Sequence, residues 1–224
     1  MNKIEVLYEN EEILVINKPF GVSVQGGAGI AHPLDEELPK QTGYKVYLVH
    51  RLDKETSGLM IVAKSSQAAA KWIKLIASKQ VTKEYTAVCF GVPELNSRKT
   101  MKGVIKDTVS KGNREMNAVT YFEVEDSREV VIPAAENTEE TKITLSRLHL
   151  TLGTGRMHQI RIHLASVKCP IAADDRHGNF KLNKKAAKVL KIKKLQLAST
   201  KLTLPVNGRN VVFEIKVPEH FFIF

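Results

Sequence analysis

VHRLDKETSGLMIVAKS, from Val49 to Ser65, is the stretch from which the rest of the chain is read. Leu59 to Ala63 is a run of five apolar residues after the Thr56-Ser57-Gly58 turn, and it reads as a strand buried near the centre of a sheet. Directly before it stand His50, Arg51 and Asp53. A surface ion pair between Arg51 and Asp53 would contribute only about 0 to 1 kcal/mol. A catalytic carboxylate with a guanidinium partner is the other reading, since functional sites use charge pairs to set protonation state.

Upstream, Ile4 to Tyr8 and Ile13 to Asn17 read as short strands around the polar turn Glu9 to Glu12, and Lys18-Pro19-Phe20-Gly21 stops the second. Val22 to Tyr44 has weak periodicity and gathers Gly26, Gly27, Gly29, Pro33 and Pro39, which predicts a long mobile loop. Its glycines lack the spacing and terminal Lys of a phosphate-binding loop.

Downstream, Ser65 or Ser66 can cap a helix with Ala69, Trp72, Ile73 and Ile76 as its core stripe. Tyr85 to Phe90 is the next strand, and Leu95 to Asn117 reads as a basic hairpin exposing Lys99, Lys102, Lys106, Lys111 and Arg114. Val119 to Val124 and Ile143 to Thr151 alternate like antiparallel strands, with a loop from Pro133 to Glu140 between them. Met157 to Val167 reads as a helix with Ile160, Leu164 and Val167 on its core face, decorated by His158, Arg161 and His163. Lys181 to Lys194 carries an amphipathic stripe of Leu182, Ala186, Val189 and Leu190, and Leu195 to Leu204 and Val211 to Val217 close the chain as strands around Asn207-Gly208. The pattern predicts an α+β fold: one domain over 1–224, with a mixed, mostly antiparallel, bent central sheet flanked by helices and two lobes around a cleft.

Apolar residues at 43% and charged residues at 26% of the 224 exclude a disordered or fibrous chain. No window reaches the roughly 18 apolar residues of a membrane span and no leader pattern precedes the first strand, so a soluble cytoplasmic protein is expected. Cys89 and Cys169 sit in apolar contexts without paired spacing, which predicts buried thiols rather than a disulfide or a metal cluster. A formal charge of +10, from 34 Lys and Arg against 24 Asp and Glu, attracts polyanions; nucleic acid, an anionic membrane and plain solubility are all compatible with it.

Functional residue types concentrate in His50-Arg51-Leu52-Asp53, in Lys83-Glu84-Tyr85 and in Gly155-Arg156-Met157-His158-Gln159-Ile160-Arg161. Each alone has a structural explanation: a cap, a turn, a core hydrogen-bonder. Together, His50-Arg51-Leu52-Asp53 with Thr56-Ser57-Gly58-Leu59, Asn17-Lys18-Pro19 with Gly21, Lys83-x-Tyr85, Gly155-Arg156-x-His158-Gln159-Ile160-Arg161-x-His163, Pro170-Ile171 and Asp174-Asp175-Arg176 with Gly178 resemble the RluA-type pseudouridine synthases, in order and over nearly the whole chain.

The resemblance implies the pseudouridine synthase catalytic fold and an isomerase that converts uridine to pseudouridine in structured RNA without a cofactor or metal. It implies Asp53 as nucleophile, Tyr85 packing on the target base and Arg161 pairing with Asp53, while Arg51 fills the space left by an extruded nucleotide. A guanidinium partner orients a carboxylate and compensates for its desolvation, and a base leaving its stack costs a few kcal/mol that Tyr and Arg can offset. Lys18, Arg156, His158, Lys188 and Lys191 are the expected RNA contacts, and His50, Thr56, Gly58 and Gln159 the expected structural supports.

The Val24-Gln25-Gly26-Gly27-x-Gly29 loop resembles that of relatives acting on large-subunit ribosomal RNA, with transfer RNA as the alternative substrate and a monomer as the expected state. An inactive RNA-binding protein of the same fold is disfavoured because Asp53, Tyr85 and Arg161 are all retained, and a hydrolase because no nucleophile elbow or metal cluster is identifiable. The chain departs from the family at Leu195-Gln196-Leu197-Ala198-Ser199, where Leu-x-Leu-His-Ala is usual, and it starts almost directly at the catalytic domain, so RNA grip is expected from that domain's own basic segments.

Overall fold

A computed structural model describes residues 3–111, 114–132 and 140–222. In chain order its elements are β1 (Glu5–Glu9), β2 (Ile13–Lys18), α1 (Leu34–Thr42), β3 (Tyr47–Leu48), β4 (Ser57–Ala63), α2 (Ser66–Ala77), β5 (Thr82–Phe90), β6 (Glu94–Leu95), β7 (Arg98–Lys99), β8 (Lys102–Lys111), β9 (Arg114–Ile132), β10 (Thr141–Leu152), α3 (Gln159–Ser166), α4 (Phe180–Val189), β11 (Leu197–Val206) and β12 (Arg209–Glu214). This is a mixed, mostly antiparallel α+β fold. The chain forms two compact units: one from the chain up to Glu84 with Ala198–Pro218, the other from Tyr85–Leu197 with the residues after Pro218.

In the first unit β4 is the pivot. All seven of its residues are buried, as the apolar run requires. β2 pairs antiparallel along it from Gly58 to Ala63 and β1 pairs with β2, while β11 runs parallel to its start (Ser57 opposite Ala198, Gly58 opposite Ser199) and β3 antiparallel to its end. β12 folds back on β11 through Asn207 and Gly208, whose φ values of 50° and 74° are those of the tight hairpin turn that the Asn-Gly pair predicts. Ile13, Val15, Leu59, Ile61, Trp72, Leu202 and Leu204 form the core beneath α2. Ser65 caps α2 by accepting from the Ala68 N–H. Of the expected stripe, Ala69 and Trp72 are buried, but Ile73 is 48% exposed because it lies a further 100° around the helix from Trp72.

The stretch expected to be a loop contains helix α1. Asp35, Glu36 and Glu37 in the first turn suit its positive end, Leu34 and Leu38 one turn apart are fully buried, and Gly43 at φ +80° ends it by donating to the Pro39 carbonyl. Burial of the two leucines outweighs Pro39 inside the helix, a term the composition of the stretch did not display.

The second unit orders its strands β5-β10-β9-β8. The basic hairpin and the alternating strands expected there are β8 with β9 and β9 with β10, all antiparallel, and Lys99, Lys102 and Lys106 are exposed. The side chains of Lys111 and Arg114, and the predicted loop up to residue 139, lie outside the described residues. Cys89 and Cys169 are buried free thiols. α3 buries Ile160 and Leu164 as expected, but Arg161 and His163, expected to decorate it, are 2% and 0% exposed. Among the described residues no helix is long and apolar enough to cross a membrane.

Candidate active site

The loop between β3 and β4 carries Asp53, and its neighbours fix it at several points. On the edge of β4 away from β2, β11 covers Ser57 and Gly58 and β3 covers Val62 and Ala63, which leaves the backbone N–H of Ile61 to be satisfied between them. His50 fills that gap: its Nε2 accepts from Ile61 N–H at 3.0 Å. Burial, with the Lys83 ammonium nearby, pushes His50 down to about 3, so the ring stays neutral as an acceptor must. Leu52 is buried, Arg51 and Lys54 are exposed, and Asp53 is half-buried. Thr56 N–H donates to the Asp53 carbonyl at 3.1 Å, closing the turn into β4. His50 holds the loop to β4 through its side chain, whereas Thr56 closes the turn through its backbone.

Gly58 is required by sterics. Its φ is +109°, and a Cβ there would lie 2.1 Å from the Ser199 carbonyl oxygen, where β4 and β11 meet. The hydroxyls of Thr56, Ser57 and Ser199 around this junction are buried without a hydrogen-bond partner among the described residues, and Ala198, at the position where the family usually has histidine, is fully buried opposite Ser57.

Lys18 is not placed as expected. It is 0% exposed, which removes it from any direct RNA contact, and its Nζ donates to the carbonyls of Val22 (2.8 Å), Pro19 (3.0 Å) and Lys54 (3.2 Å). Gly21 N–H donates to the same Lys54 carbonyl at 2.9 Å. Asn-Lys-Pro-Phe-Gly is therefore a clamp on the residue following Asp53. Burial pulls Lys18 down to about 7, opposed by the Asp53 carboxylate. A lysine is so rarely buried that its letter alone suggests a surface contact.

In the second unit, Gln159 is buried and acts as a four-way clip. Its Oε1 accepts from Thr154 Oγ1 at 2.7 Å and Arg156 N–H at 3.0 Å, and its Nε2 donates to the Val119 carbonyl at 2.9 Å and Thr120 Oγ1 at 3.0 Å. That ties the Gly-Thr-Gly-Arg turn to β9. Arg156 is exposed, with Nε donating to the Asn117 carbonyl at 3.4 Å. His158, at φ +53°, heads α3 with its Nδ1 3.0 Å from Nε2 of His177, a partner not anticipated.

Arg161 reaches out from α3 to two carboxylates that the sequence reading placed in a motif without a role. Its Nε and Nη2 donate to the two oxygens of Asp174 at 2.8 and 2.6 Å, and Nη2 also donates to Asp175 at 2.9 Å. Burial pushes Asp174 up, but Arg161 and the N–H groups of His177 and Arg176 outweigh it and hold the carboxyl below its usual range. Two adjacent acids after an apolar Pro-Ile-Ala-Ala run were the available signal. Tyr85, 5% exposed, sits on β5. Lys188 lies exposed on α4, and Lys191 closes that helix by donating to the Lys188 carbonyl at 2.9 Å. Asp53 thus belongs to the first unit, and Tyr85 and Arg161 to the second.

The sequence pattern of the RNA pseudouridylate synthase family matches residues 12–166, a span that contains Lys18, Asp53, Tyr85 and Arg161. The chain belongs to that family. As an RNA pseudouridylate synthase it is an isomerase of the RluA type. Ribosomal large subunit pseudouridine synthase C of Rickettsia prowazekii is 31% identical over 218 residues, covering 96% of this chain and 69% of the relative. Ribosomal large subunit pseudouridine synthase D of Salmonella typhimurium is 30% identical over 230 residues, covering 96% and 68%. The solved structure of human RNA pseudouridylate synthase domain containing 4 superposes with a TM-score of 0.72 at 25% identity, over 97% of this chain and 90% of that one. The mixed antiparallel fold expected from the strand pattern is the fold of this family.

Proposed function

We propose that this pseudouridine synthase acts on large-subunit ribosomal RNA with Asp53 as its nucleophile. The observation that carries the reading is the holding of one half-buried carboxylate: Lys54 beside it clamped by Lys18 and Gly21, its own carbonyl engaged by Thr56, and His50 anchoring the loop to β4. Such preorganisation suits a group that must meet its target atom in one geometry. The names of the relatives support ribosomal over transfer RNA.

In this reading Asp53 attacks the sugar C1′ or the uracil ring as the N-glycosidic bond breaks. The detached base turns and bonds through C5 as the carboxylate is released, and the proton lost from C5 is balanced by one taken up at the freed N1, so nothing is added or removed. Tyr85 packs on the base, Arg161 pairs with Asp53, Arg51 occupies the space the nucleotide leaves, and Arg156, His158, Lys188 and Lys191 contact RNA. The enzyme works as a monomeric single catalytic domain in the cytoplasm.

Asp53→Asn keeps the shape and removes the nucleophile. It is expected to bind large-subunit transcripts with near-normal affinity and to form no pseudouridine, read by chemical mapping of the RNA after incubation. Normal turnover by D53N overturns the mechanism, and product in transfer RNA but not in ribosomal transcripts overturns the substrate.

A further inference from the structure

Helix α4 has one face whose residues no family motif explains. Its inner side is fixed: Ala186 is fully buried, Asn183 Oδ1 accepts from Ala173 N–H at 2.8 Å, and Asn183 Nδ2 donates to the Asp174 carbonyl at 2.7 Å. Asn179 caps the first turn by accepting from Leu182 N–H at 3.1 Å. On the outer side, steps of four residues place Phe180, Lys184 and Lys188 in one row, with Lys181 beside it. All four are exposed, and Phe180 at 63% is the most exposed large apolar side chain among the described residues. Phe180–Val189 contains no acid, and Lys181, Lys184 and Lys188 form no salt bridge among the described residues.

A single exposed phenylalanine is ordinary, and so is a solvated lysine row. Their coincidence on one face is what selects a partner. Aromatic rings that stack unpaired bases, interleaved with cations that follow the phosphates, are the chemistry of single-stranded nucleic acid binding. An anionic membrane fits less well, because an interfacial helix must turn its apolar side outward, whereas here that side is docked on the protein. We propose that the Phe180–Lys184–Lys188 face binds a single-stranded segment of the substrate RNA, with Phe180 stacked on an unpaired base and the lysines on phosphates. This rests on the reading of the chain as an RNA-modifying enzyme. Asn183 gives the contact a consequence: it ties α4 to the backbone of Asp174, whose carboxylate holds Arg161, so RNA gripped by α4 is held in fixed register with Arg161.

The test uses the full chain and fragments transcribed from large-subunit ribosomal RNA. F180A is expected to weaken binding at least about fivefold and to raise KM more than it lowers kcat, while F180W restores binding and its emission changes when RNA is added. K184A/K188A is expected to flatten the dependence of log K on log salt by roughly 0.7 per lost phosphate contact. Wild-type binding by F180A, an unchanged salt slope in the double variant, or unchanged F180W emission overturns the proposal, as does loss of vesicle binding in place of RNA binding. These readouts depend on binding, whereas the activity reading stands or falls on turnover by D53N, so either can fail alone.

Discussion

An ammonium with no exposed surface is expensive unless its charge and its protons are satisfied, and Lys18 finds partners for its protons and a partial offset for its charge within one loop. Three carbonyls take its three protons and Asp53 supplies the opposing charge. Substituting methionine keeps the length and apolar stem but leaves those carbonyls unpaired and the carboxylate without its near cation. Breaking a buried charge arrangement by removing one member costs about 3 to 5 kcal/mol. Lys18→Met is therefore expected to lower the urea midpoint markedly and to slow isomerisation at saturating RNA. A variant with wild-type stability would show that Lys18 neither clamps the loop nor balances Asp53. Arg161 with Asp174 follows the same physics, and the residues at both sites were legible as chemistry before their partners were. Partner choice is a distance, and distances are not written in a one-dimensional pattern.

At the level of elements, what came through in the sequence was what a local period or a turn residue controls. β4, the Asn207-Gly208 hairpin, the Ser65 cap and the core face of α3 all follow from such signals. α1 did not, because its stability comes from burying Leu34 and Leu38 against a scaffold the letters do not show. The β4–β11 junction is another long-range feature: Gly58 and Ser199 are far apart in sequence, yet no Cβ fits between them. Gly58 and Gly208 separate the two costs of adding that Cβ. Both have positive φ, but nothing lies within 4 Å of a Cβ at Gly208. Gly208→Ala should cost about 1 to 2 kcal/mol, the left-handed penalty alone. Gly58→Ala adds a backbone clash that only separation of the strands relieves, and should unfold at a distinctly lower temperature. Equal losses would mean that β11 is not pressed against β4 at that point.

For the whole molecule, the ordered motifs made the family legible, but Asp53, the proposed nucleophile, belongs to one unit and Tyr85 and Arg161 to the other, so no local pattern in the sequence could relate them. Between about pH 4 and pH 8 the shifted groups of both units push in one direction. Burial lowers His50, His163 and His220. The unfolded chain takes up protons there that the native chain refuses, so stability falls as pH drops below about 6.5. Hydrogen-bonded Asp174 and Glu12 lie below their ordinary values, and their contribution is lost on further acidification through those folded values. Lys18 at about 7 and the lowered Lys83 work on the other side of neutrality. Between those values and about 10.5 the unfolded chain again binds more protons, so stability rises with pH. Cys89, pushed up by burial, opposes the trend above about pH 8.5, and Tyr44, Lys40 and Lys64, also raised, do so beyond about pH 10. The urea midpoint should therefore be higher at pH 8.5 than at pH 6, with H50Q flattening the acid limb and K18M the rise above neutrality. A stability maximum at or below pH 6 would show that these buried groups keep their charges in the native chain, and with that the neutral acceptor role of His50 would fall.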